Sequence, residues 1–125
     1  MFRAMLFGLA AAVAVSSGAQ ADAGDAAAGA QVFQRCSICH SVTPGAGSTI
    51  GPHLNGVIGR QAGSVQGYQY SKAMTASGLT WSKTNLDKFL AGPQALVQGT
   101  KMSFMGLPNA KDRANVIAYL ATTKK

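Results

Sequence analysis

The residues best placed to do chemistry are five in a row, Cys36-Ser37-Ile38-Cys39-His40. Two thiols separated by a dipeptide, with an imidazole directly after the second, have the spacing of a covalent c-type haem attachment site. That chemistry asks for two sulfurs that reach the two vinyl groups of one porphyrin and a next side chain that swings beneath the iron. His40 is then the expected proximal ligand. Two other chemistries use a Cys-x-x-Cys pair. A four-thiolate zinc site needs a second pair, and the chain has only two cysteines; a Cys2His2 site would have to recruit His53 at an unusual spacing. A dithiol oxidoreductase needs a βαβ setting, and no β-rich run flanks Cys36. The histidine after Cys39 therefore decides for haem.

With one ligand placed, four side chains compete for the other face of the iron: His53, Met74, Met102 and Met105. Spacing does not choose among them. Each also has a plainer reading, since a methionine more often fills an irregular gap in a core and a loop histidine is more often hydrogen-bonded or solvated.

The elements that must position these groups are helical. Asp25 can cap a helix running through Gly29 and Phe33 to the cysteines, with Gly29 and Phe33 four apart on one face. A glycine inside a helix costs about 1 kcal/mol relative to alanine, so Gly29 predicts a second backbone approaching closely. Asn109, with Asp112 three residues on, predicts the start of a helix to Ala121 that buries Val116, Ile117, Tyr119 and Leu120. The two terminal helices are expected to cross. A third helix lies between Ser82 as its cap and Gly92-Pro93 as its stop, with Leu86, Phe89 and Leu90 on one stripe. Short helical turns are expected over 71–76 and 93–97. The segment from Ser41 to Gly67 is rich in glycine and turn residues and lacks sustained alternation, which predicts loops. An all-α fold wrapped in loops follows.

Residues 1–21 carry Arg3, an apolar stretch from Ala4 to Val15 and the small-x-small site Ala19-Gln20-Ala21, the pattern of a secretory signal cleaved after Ala21. The stretch is shorter than the roughly 18 to 20 residues that span a bilayer, which disfavours the alternative of an uncleaved anchor. Residues 22–125 would be one mature domain in the periplasm, where both thiols are spent on haem rather than a disulfide. At that length burial by side chains alone is marginal, and a covalent haem would supply the missing core. Loss of Arg3 leaves ten basic side chains against the four acids Asp22, Asp25, Asp87 and Asp112, a formal +6 before any haem propionates are counted. The bases are scattered rather than clustered, so they point to acidic protein partners and not to nucleic acid.

From Asp25 to Thr122 the sequence resembles the soluble class I cytochromes c of mitochondrial and purple-bacterial type. The matching residues are Gly29 and Phe33 before the Cys36–His40 motif, then Gly51-Pro52-His53-Leu54-Asn55-Gly56-Val57-Ile58-Gly59-Arg60. They continue through Gly67-Tyr68-Gln69-Tyr70-Ser71, Leu79-Thr80-Trp81, Gly99-Thr100-Lys101-Met102-Ser103-Phe104 and Arg113 to Leu120. The resemblance implies a cytochrome c fold around one covalent haem c, with Met102 as the second axial ligand on a loop begun by Gly99. It implies that the Pro52 carbonyl orients His40, and that Arg60, Tyr70, Trp81 and Thr100 hold or neutralise a buried propionate. His53 then becomes a loop residue, and Met74 and Met105 become packing residues.

A His/Met pair raises the reduction potential and blocks substrate entry, so the expected role is single-electron carriage rather than enzyme chemistry. The expected partners are redox proteins with acidic docking surfaces: a bc1-type complex, a terminal oxidase, a reaction centre or a dehydrogenase. A monomer without stable membrane insertion is expected. A peroxidase reading would require an open iron position, and a fixed subunit of a membrane complex is disfavoured by the charged exterior. The lysine ring of the family is thinned here: Arg35 and Lys101 match it, while Gln94, Pro108 and Asn109 replace further lysines. Phe89 stands for a common tyrosine, Met74 for asparagine and Gln98 for a proline.

Overall fold

The computed structural model describes residues 24–125, together with Ala4, Gly8, Ala10 and Ala11. The signal expected over 1–21, with its cleavage point, otherwise lies outside the described residues. Among the described residues no helix is long and apolar enough to cross a membrane.

The first helix, α1, spans Ala26–Phe33 and is capped by Asp25, whose carboxylate accepts from the amides of Ala27 at 2.9 Å and Ala28 at 3.3 Å. At the far end of the chain α5 spans Ala110–Ala121, capped by the Asn109 side chain, which accepts from Lys111 N at 2.8 Å and Asp112 N at 3.1 Å. The two helices pack directly on each other. Gly29 is the point of closest approach: a Cβ there would stand 1.9 Å from the Asn115 carbonyl oxygen. Gly24 makes a second close approach, to Ala114. Asn115, buried in this seam, accepts from the Asp25 amide at 2.8 Å, and Phe33 meets Tyr119 at 5.4 Å between ring centroids. Val116, Ile117 and Leu120 are buried as expected, whereas Tyr119 is only partly so.

α1 does not reach the cysteines as a regular helix. After Phe33 the amides of Gln34, Arg35 and Cys36 turn to carbonyls three residues back, and Cys39 N donates to Cys36 O at 3.1 Å. This tighter winding delivers the motif as a run of turns.

Three short helices complete the fold. α2 spans Lys72–Ala76 behind the Ser71 cap, α3 spans Lys83–Ala91 behind Ser82, and α4 spans Pro93–Leu96 with proline at its first turn. α3 packs on both α5 and α4, and buries Leu86, Phe89 and Leu90. The segment from Ser41 to Gly67 is loop, tied at one edge by an antiparallel bridge between Gln61 and Thr80. Trp81 N donates to Arg60 O at 2.8 Å and Gly59 N to Trp81 O at 2.9 Å, so this tie fixes two residues that face the central cavity. No strand forms among the described residues, and the all-α expectation holds.

Candidate haem site

A cavity of about 390 Å³, mostly apolar in its lining, runs between the Cys36–His40 turns, the 50–60 loop, α3 and the 100–104 loop. Its volume falls in the range of cofactor pockets. All nine site residues named from the sequence line it: Cys36, Cys39, His40, Pro52, Arg60, Tyr70, Trp81, Thr100 and Met102.

Cys36 and Cys39 are free and half-buried at this wall. Burial pushes the Cys36 thiol up; Arg35 opposes the shift and Cys39 adds to it. No three groups among the described His, Cys, Asp and Glu converge as metal ligands would.

His40 is aimed by its backbone surroundings. A carbonyl can only accept, so the 2.7 Å contact between its Nδ1 and Pro52 O is an Nδ1–H donating, which leaves the Nε2 lone pair free. Burial lowers the His40 pKa, with the Pro52 bond opposing, and keeps the ring in the neutral form that ligates metals. The loop that presents Pro52 is stitched to the motif by Gly51 N donating to Cys39 O at 2.8 Å and by the Thr49 hydroxyl donating to the same oxygen at 3.0 Å. Gly51 is required there because a Cβ would stand 2.5 Å from His40 Cε1.

Arg60 gives the cavity a charged wall. It is half-buried, donating through Nη1 to His53 O at 2.7 Å and through Nη2 to Asn55 O at 2.6 Å. No carboxylate pairs with it among the described residues. Burial lowers its pKa, and the nearby Tyr70 partly restores it. Tyr70 accepts from Val65 N at 3.1 Å and, pushed up by burial, keeps its own proton to donate. A half-buried cation and a phenol at an apolar cavity suit the carboxylates of a bound group. Trp81 is buried against Phe89, with ring centroids 5.0 Å apart. Free thiols, a neutral imidazole with an open lone pair, methionine sulfur and an uncompensated cation together fit a haem.

The structure separates the four competitors for the second ligand. Met74 and Met102 line the cavity; His53 and Met105 do not. His53 is a hydrogen-bonded loop residue, its amide donating to Ser48 Oγ at 3.0 Å, and burial followed by the Arg60 charge lowers its pKa. Met105 departs from its expected packing role, being 96% exposed. The reason lies in its neighbours. Gly106, at φ +111°, passes too close to the Ala91 and Leu90 carbonyls to carry a Cβ, and buried Leu107 donates to Leu90 O at 2.7 Å, which leaves Met105 turned outward.

Three residues support the site in ways not read from the sequence, where Lys101 and Gln94 figured only in the lysine ring and Tyr68 only in the family match. Tyr68 lines the cavity and donates through its hydroxyl to Ile50 O at 3.0 Å. Lys101 Nζ lies 4.6 Å from the Tyr68 ring centroid and donates to Gln69 O. Gln94 reaches the 99–100 backbone. The Gly67-Tyr68-Gln69-Tyr70 match carried a signal for Tyr68; nothing local marked Gln94.

The family model for cytochrome c matches residues 26–124. Cytochrome c2 of Rhodomicrobium vannielii is 56% identical over 100 residues, covering 80% of this chain and 80% of its own. Cytochrome c2 of Rhodoblastus acidophilus is 49% identical over 102 residues, 82% of this chain and 95% of that one. Cytochrome cH from Methylobacterium extorquens superposes with a TM-score of 0.76 at 44% identity, covering 80% of this chain and all of that one. The chain belongs to the cytochrome c family, as a carrier of single electrons on one covalently held haem c and not an enzyme.

Proposed function

We infer that the protein is exported, loses residues 1–21, and shuttles electrons through the periplasm as the mature domain 22–125, with His40 and Met102 as the axial pair. What supports the axial reading is that the His40 lone pair and the Met102 sulfur belong to side chains lining the same apolar cavity as both thiols. When bound, haem c supplies a one-electron Fe(III)/Fe(II) couple. Cys36 and Cys39 hold the group covalently, and Pro52 keeps the His40 ring turned to it. The Met102 thioether favours the ferrous state, and two protein ligands leave no open position for substrate. Arg60, Tyr70, Trp81 and Thr100 receive the propionate. Leu54, Phe89, Leu90, Phe104 and Leu120 exclude water, which keeps solvent rearrangement small when charge changes.

The partner reading rests on charge. Among the described acids, Asp25 caps α1, Asp87 pairs with Arg113 at 2.8 Å and Asp112 with Arg35 at 3.8 Å. Lys72, Lys83, Lys88, Lys111, Lys124 and Lys125 have no ion pair among the described residues, a charge balance suited to acidic redox partners such as a bc1-type complex, a terminal oxidase, a reaction centre or a dehydrogenase. N-terminal sequencing and intact mass of the protein from a periplasmic extract should show a chain beginning at Asp22 with one haem added. A chain beginning at Met1 and held in the membrane fraction would overturn export as a free carrier.

A further inference from the structure

We propose that Gln94 is a positioning residue that clamps the Met102 loop through its side-chain amide and so sets how readily the thioether leaves the iron; this rests on the His40/Met102 reading above. Gln94 follows the buried Pro93 in α4. Its Nε2 donates to Thr100 O at 2.8 Å, and its Oε1 accepts from Gly99 N at 3.1 Å. Both ends of one planar amide are thus used on the two residues that open the loop.

The loop makes two backbone bonds, Thr100 N donating to Val97 O and Phe104 N to Met102 O, each at 3.0 Å, and its other amides are held less well. The Gly99 amide has only the Gln94 oxygen, and the Met102 amide has a long 3.5 Å contact to Thr100 Oγ1. Gly99 lies at φ +95°, with Ala73 only 3.4 Å from where a Cβ would stand, so the chain turns there without a side chain of its own to pack. Beyond it, Lys101 is tied to Gln69 and Tyr68. Gln94 therefore anchors the near side of the loop to the helical framework, and Lys101 anchors the far side to the 68–69 segment. A lysine at position 94 would carry donors but no acceptor for the Gly99 amide.

The test is imidazole binding to the ferric protein, followed by loss of the near-infrared iron–thioether band, in the wild type, Gln94→Leu and Gln94→Glu. Imidazole must displace the thioether, so its apparent affinity reports how often the loop opens. Gln94→Leu removes both bonds and should tighten imidazole binding about tenfold or more, since each net hydrogen bond corresponds to a factor of about two to ten. Gln94→Glu keeps the acceptor for Gly99 and should fall between. The midpoint of denaturant unfolding, read by Trp81 fluorescence, should move far less than imidazole affinity. Equal imidazole binding in all three proteins would overturn the proposal. Should Gln94→Leu not load haem, amide exchange in the wild-type holoprotein decides: the Gly99 amide should be protected, and free exchange there would overturn the clamp. Absence of the thioether band in the wild type would instead overturn the axial reading itself.

Discussion

At the scale of the residue, the two methionines of the cavity carry the sharpest contrast. Met74 is 8% exposed within the core, and Met102 sits on the loop that follows Gly99, yet both reach the cavity. A packing methionine and a ligating one should fail differently. Met74→Ala should lower stability by about 2–5 kcal/mol in denaturant titration and leave the visible spectrum low-spin, because it removes core volume. Met102→Ala should leave a high-spin iron that binds carbon monoxide. The reverse pattern would exchange their roles. The pairing of His40 with Pro52 belongs to the same scale, since a single carbonyl fixes which imidazole nitrogen is free.

At the scale of the element, the crossing of α1 and α5 determines whether the cavity exists, because Phe33, Val116 and Leu120 belong to both the helix seam and the cavity wall. Gly29→Val should destabilise by ~2 kcal/mol or more in urea unfolding, since its Cβ cannot fit 1.9 Å from the Asn115 oxygen and the helices must part. Wild-type stability in that variant would mean the contact is not required. This seam is legible in the amino-acid sequence. Asp25, Ser82 and Asn109 announce helix starts because a cap bonds to amides two or three residues away, and Gly29 announces contact because its cost in a helix needs a reason. What escaped was long-range or irregular. The Asn115 bond to Asp25 spans ninety residues. The amide clamp of Gln94 acts on backbone, which has no residue identity to recognise. The exposure of Met105 follows from the close passage of Gly106 against α3, which no periodicity encodes. Of the site, the attachment motif was readable from chemistry alone, whereas the residues proposed to meet a propionate needed the family resemblance.

At the scale of the whole molecule, charge and burial set the rate at which electrons pass. The positive charge is scattered along the chain, and Gln94, Pro108 and Asn109 stand where the family resemblance implies further lysines. Raising ionic strength from about 0.01 to about 0.15 M shortens the Debye length from about 30 to about 8 Å. The second-order rate constant for reduction by a partner with an acidic docking surface should fall over that range by no more than about tenfold, the low end of electrostatic steering. A drop of several hundredfold in stopped-flow measurements would mean that the remaining lysines converge on one docking face.

The arrangement of the cavity points to closure of the iron on both sides by His40 and Met102. That closure is tested most directly by the visible and near-infrared spectrum of the exported protein, oxidised and reduced, before and after carbon monoxide. A low-spin c-type spectrum is expected, with a weak iron–thioether band in the oxidised form and no change with carbon monoxide. A high-spin spectrum that shifts on adding the gas would contradict it.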